Sequence, residues 1–181
     1  MKRLYLMPIG LVPEVLLAAT EKTVAEWFPF DSCRLPALPI PATAWQPERG
    51  QYESVVIMKA LEAARPPDAA RLLGLTVADI AIPMLSFLFG QAQFDGPVAL
   101  VSVSRLRQDF YGLPPDPDLL LERLAKEVLH ELGHTSGLIH CSDSLCAMSL
   151  STHVGLVDAK HASFCAVCGS KLVRRLTSAN G

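Results

Sequence analysis

The sequence has no basic run longer than Arg174-Arg175, and its 16 basic and 18 acidic residues leave a net charge of −2. With a pI near 6.2 there is no positive field to attract a polyanion, so nucleic acid is excluded as an expected partner. Long apolar stretches are also missing. The longest uncharged one, Ile80 to Phe94, is 15 residues and is broken by Pro83 and Gly90. A membrane-spanning helix needs roughly 20 apolar residues, so no membrane partner is expected. At the start of the chain Pro8, Pro13 and Glu14 interrupt the apolar residues, and no small-residue cleavage site follows. A first strand and a cytoplasmic location are the expectation. No internal repeat is evident. A disulfide framework is not expected either, because four of the five cysteines crowd into one late region, a pattern that suits metal binding better.

Half of the residues are hydrophobic and the mean hydropathy is positive, which excludes a disordered chain. A length of 181 residues suits one domain. Residues 1–140 form its amino-terminal part and 141–181 a carboxy-terminal segment. Lys2 to Met7 reads as a strand, and Pro13 opens a helix through Trp27. Cys33 to Leu38 could be a second strand, and Cys33 itself is expected as a buried, reduced thiol. The proline-rich, uncharged stretch from Leu35 to Pro47 reads as a loop. Val55 to Ala64 is a second helix, stopped by Pro66-Pro67. Leu72 to Val77 and Ile80 to Leu85 read as strands, and the aromatic cluster from Phe87 to Phe94 as core. Val98 to Ser104 alternates apolar and polar residues, the pattern of an edge strand. Such an edge could accept an extended peptide by strand addition or simply face water. Strands interleaved with helices predict an α/β fold, with α+β the alternative, built on a twisted mixed sheet with flanking helices.

One stretch carries most of the chemical information: His130-Glu-Leu-Gly-His134-Thr-Ser-Gly137-Leu-Ile-His140-Cys141. Pro114-Pro115-Asp116-Pro117 announces the helix before it, with Asp116 able to cap and Pro117 suited to the first position. Leu121, Ala125, Val128 and Leu132 form an apolar stripe, with Glu122 and Lys126 as an i,i+4 pair on another face. The histidines lie beside the stripe, so a metal would sit at the border of the core. His130 and His134, four apart, share one helix face and can bind the same ion. Glu131 lies within reach of a water at an open coordination position. Gly137 can end the helix with a positive φ and turn the chain so that His140 supplies a third nitrogen. Three neutral nitrogens favour zinc and leave a fourth position for water, as a catalytic site requires.

Cys141, Cys146, Cys165 and Cys168 follow in a C-x4-C…C-x2-C arrangement, which matches a closed, structural tetrahedral zinc site. A redox pair is the competing reading for Cys165 and Cys168. His153 and His161 lie between the cysteine pairs and are expected at the surface, since four thiolates already complete a site.

The two motifs together, followed by Met148, resemble the metzincin clan of zinc metallopeptidases, and the coupling of HExxHxxGxxH to four cysteines resembles the archaemetzincin family. Arg49-Gly-Gln-Tyr52, Leu73 to Asp79 and Phe87-Leu-Phe-Gly90 are similar to that family as well. The resemblance implies a zincin-like fold, His130, His134 and His140 on a catalytic zinc, Glu131 as general base, Met148 as the Met-turn residue and the four cysteines on a second zinc. Packing alone would equally bury Met148. The implied activity is hydrolysis of peptide bonds by zinc-activated water, on peptide or protein substrates, by a protein expected to be a monomer. A zinc-binding module with weak or absent peptidase activity is the alternative, and peptide-library digestion separates the two.

Overall fold

The computed structural model describes residues 2–178. In chain order the elements are β1 (Arg3–Ile9), α1 (Glu14–Trp27), β2 (Asp31–Arg34), β3 (Trp45–Gln46), β4 (Gln51–Glu53), α2 (Ser54–Ala64), β5 (Ala69–Thr76), β6 (Ile80–Ile82), β7 (Leu85–Leu88), β8 (Gly90–Ala92), β9 (Val98–Ser102), α3 (Pro117–Thr135), α4 (Val154–Ala159) and α5 (Ala166–Ser178). The main sheet runs β2-β1-β5-β9-β8, parallel except for the antiparallel β8. A smaller sheet runs β3-β4-β6-β7. This is the mixed sheet with flanking helices that the sequence predicts.

Side-chain alternation along the central strands explains why both faces are covered. Leu4, Leu6, Leu73, Leu75, Ala99 and Val101 point to one side and pack with Leu16, Leu17 and Val24 of α1 and Leu124, Val128, Leu129 and Leu132 of α3. Tyr5, Met7, Ile9, Leu72, Val98 and Leu100 point to the other, against Ile57, Met58 and Leu61 of α2. Strands buried on both faces are apolar at nearly every position, and β1, β5 and β9 follow that rule. Burying each such leucine, isoleucine or valine contributes about 1.5–3 kcal/mol.

Three sequence expectations change. Val98 to Ser104 is not an edge strand: β9 lies between β5 and β8 and all five of its residues are buried. The alternation misleads because Ser102 Oγ donates to Ala78 O at 2.6 Å and Ser104 already belongs to a 3-10 turn. The edge next to α3 is β8. Of the Phe87–Phe94 cluster only Phe89 is fully buried, while Phe94 is exposed, so this segment is a cleft wall more than a core. Cys33 is half-buried on β2, an outer strand of the sheet, instead of sealed in the interior. Among the described residues no helix is long and apolar enough to cross a membrane. The 35–47 segment is largely irregular, as expected, but is tied to β1 by Leu35 N–H to Leu6 O and Leu38 N–H to Pro8 O.

Candidate active site

The site is built on α3. Its start is capped by Asp116, whose Oδ1 accepts from Leu119 N–H at 2.9 Å, with Pro117 at the first position. Its end is a Schellman motif. Gly137 adopts φ +79°, its N–H donates to His134 O at 3.0 Å, and Leu138 N–H reaches back to Gly133 O at 3.0 Å. Leu124, Val128, Leu129 and Leu132 anchor the helix in the core. Leu121 and Ala125 of the predicted stripe are only half-buried, and Lys126, paired with Glu122 at 2.6 Å, is buried.

The Schellman turn does more than stop the helix. Leu138 O lies 2.8 Å from His134 Nδ1, and Ala147 O lies 2.8 Å from His130 Nδ1. A carbonyl only accepts, so each Nδ1 carries the proton and each Nε2 keeps its lone pair. Those two Nε2 atoms stand 3.1 Å apart, and the His140 ring lies 4.9 Å from that of His134 and 5.3 Å from that of His130. One nitrogen from each of the three histidines falls within 4.8 Å of the others. Nitrogens about 2.0–2.1 Å from a tetrahedral zinc are about 3.3 Å apart, so the set fits that ion. Burial, with Lys160 as the next cause, holds His130 well below its ordinary pKa. His134 and His140 are lowered for the same first reason. Neutral imidazoles are what a metal requires.

Glu131 is buried beside His130, and burial followed by the Glu127 carboxylate pushes it well above the usual carboxylate range, with Lys160 opposing. Both glutamates face a cleft of about 440 Å³ that is also lined by the three histidines, by residues 85–92 and by Leu150, Ser151 and Thr152. Ser151 Oγ is buried there without a hydrogen-bond partner among the described residues. The opposite wall is β7 running into β8, whose outer edge carries no strand among the described residues. Polar side chains fix that wall from behind. Arg49 donates to Ile82 O and Leu85 O at 2.9 and 2.6 Å, and Gln51 donates to Ser86 O at 2.9 Å. Asp79 ties Gln51 to Arg105, whose guanidinium lies 4.5 Å from the Phe87 ring centroid.

Strand β8 approaches α3 closely enough to demand glycine. A Cβ at Gly90 would sit 2.6 Å from Glu131 Cγ and from Oε1. Gly90→Ala should push the carboxylate aside by nearly an ångström and lower kcat/KM about 10- to 100-fold with little change in folding. Parallel kinetics and thermal melts of the variant check this, and unchanged kinetics would refute the contact.

Met148 is fully buried, its Sδ packed so tightly against Gly133 that any Cβ there would collide with it. Beyond it the second cluster assembles. The Sγ atoms of Cys141, Cys146, Cys165 and Cys168 lie within 4.8 Å of one another, and Cys141 and Cys165 are 3.8 Å apart. Sulfurs about 2.3 Å from one zinc are separated by about 3.8 Å. None of the five cysteines is disulfide-bonded. The Cys168 N–H bonded to its sulfur draws Cys165 down to about 7, while burial pushes Cys146 and Cys168 up. His153 and His161 are exposed and belong to neither cluster.

The three nominated histidines thus form one cluster and the four nominated cysteines another, while Met148 packs against Gly133 and its carbonyl accepts from Cys141 N–H. Sequence reasoning missed Glu127, Lys160, Gly90 and Arg105. Glu127 could have been found one turn before Glu131; Lys160 carries no local signal.

The model of peptidase family M54 matches residues 49–174. The archaemetzincin of Methanocaldococcus jannaschii is 41% identical over 174 residues, which is 96% of this chain and 94% of that protein. The crystal structure of archaemetzincin from Methanopyrus kandleri superposes with a TM-score of 0.84 at 37% identity, covering 97% of both chains. That of a zinc-dependent peptidase from Methanocorpusculum labreanum gives 0.82 at 29% identity, covering 93% of this chain and 99% of the other.

Proposed function

The chain belongs to peptidase family M54, as a zinc-dependent metallopeptidase related to the archaemetzincins, and on that premise we propose how its residues divide the work. His130, His134 and His140 hold the catalytic zinc through their unprotonated nitrogens. Zinc so held supplies a Lewis acid for the scissile carbonyl and lowers the pKa of a water to about 7. Glu131 accepts the proton of the attacking water and delivers it to the leaving nitrogen. The substrate lies extended along the free edge of β8, where backbone hydrogen bonds align it, and Leu85, Phe87, Leu88 and Leu150 offer apolar contacts to its side chains. The four cysteines hold a second, structural zinc. Four thiolates would complete a tetrahedral zinc, so these cysteines would tie residues 141–168 together and leave no place to activate water.

The observation that carries this reading is the convergence of three histidine nitrogens, two of them fixed in tautomer by backbone carbonyls, beside a buried glutamate and an unpaired strand edge. Metal analysis of the purified protein should give two zinc per chain. Digestion of a peptide library should stop after brief chelation that removes one zinc, and should resume when zinc is restored. Cleavage that persists after the histidine-bound ion is gone would sink the assignment.

A further inference from the structure

Lys160 is 1% exposed, an expensive place for an ammonium unless several partners receive it. Its Nζ lies 2.9 Å from Glu127 Oε1, 3.3 Å from Ala147 O and 3.4 Å from Ser149 O. The two carbonyls flank Met148, and Ala147 O is the one that orients His130. Three other backbone groups of this turn are already engaged: Ala147 N–H donates to Ser163 O, Ser149 N–H to Cys146 O, and Met148 O accepts from Cys141 N–H. Lys160 thus supplies the donor from outside the turn that Ala147 O and Ser149 O share.

The lysine is delivered there by α3 itself. Arg123 grips Asp158 through two hydrogen bonds of 2.6 and 2.7 Å, and Lys126 Nζ donates to Asp158 O at 3.2 Å. Arg123, Lys126 and Glu127 occupy adjoining turns of one helix face. The contacts form a closed circuit from α3 through residues 158–160 to the Met148 turn and back to α3 at His130.

We infer that Lys160 is a positioning residue of the histidine site: by clamping the Ala147-Met148-Ser149 turn onto α3 it fixes the carbonyl that aims His130 Nε2 at the metal. The inference rests on His130 being a ligand, as proposed above. Lys160 touches neither metal nor substrate and acts through Ala147 O. A merely structural lysine would balance the buried Glu127 charge and do nothing else.

The test compares full-length parent protein with Lys160→Met and with Lys160→Met/Glu127→Gln, which leaves no unpaired buried charge. Chelator competition measures zinc affinity of the histidine site, cobalt substitution reports its geometry, and proton NMR follows the His130 Nδ1–H. Thermal melts report stability. Lys160→Met should weaken the histidine site about 10- to 100-fold, shift or broaden the Nδ1–H resonance and lower kcat more than it changes KM. The double variant should regain stability without regaining affinity, and it carries the test if the single variant does not fold. Parent-like affinity and resonance in the double variant overturn the inference, leaving Lys160 as a counter-charge only. Absence of histidine-bound metal in the parent overturns the ligand assignment, and the inference with it.

Discussion

Glu131→Gln should lower kcat by about 10²- to 10⁴-fold while both metal sites stay filled. Glutamine keeps the shape of the side chain, so the contact with Gly90 and the packing of the buried Glu131 survive the change. What is lost is the group that can take a proton from water. Glu127 does not stand in for it, because its carboxylate is committed to Lys160 at 2.9 Å one turn away. Steady-state kinetics on a peptide cleaved by the parent protein, with zinc measured on the same samples, decides the matter. Parent-like turnover by the zinc-loaded variant would remove Glu131 from the mechanism.

Cys165→Ser/Cys168→Ser should empty the second site and damage the first. Structural zinc sites contribute about 10–16 kcal/mol of binding free energy in small metal-dependent domains, so losing one releases the segment it closes. Two covalent neighbours carry the disturbance. Cys141 follows His140, and Cys146 precedes Ala147, whose carbonyl holds His130. The damage should therefore reach both His140 and His130, and spare His134, whose orienting carbonyl comes from the helix end at Leu138. Histidine-site zinc affinity should fall at least about 10-fold, read by chelator competition. A variant that loses one zinc yet holds the other with parent affinity would show that the two sites are independent.

Much of this was legible in the sequence, and the reasons differ by element. Helix α3 announces its own start through Asp116-Pro117 and its end through Gly137, so the positions of His130, His134 and His140 followed from local rules. The cysteine spacing was similarly informative, because a closed metal site needs four thiolates and little else. The edge strand was misread. Period-two alternation in Val98 to Ser104 looks like a solvent face, but Ser102 points at a backbone carbonyl, and the true edge, Gly90–Ala92, is too short to show a pattern. Lys160 was illegible for a deeper reason: its partners lie 33, 13 and 11 positions away, and no local composition encodes contacts across that distance. The Arg49, Gln51, Asp79 and Arg105 brace behind the cleft wall is non-local in the same way.

The bond from His130 to Ala147 has a consequence for how the protein is made. Synthesis runs from the amino terminus, so α3 leaves the ribosome before the residues that tune its histidines. On the roles proposed above, a nascent chain halted before Lys160 has the three histidines but lacks both the lysine clamp and the Cys165–Cys168 half of the staple. A chain released before Lys160 should therefore bind zinc at its histidines more weakly than one that extends past Cys168.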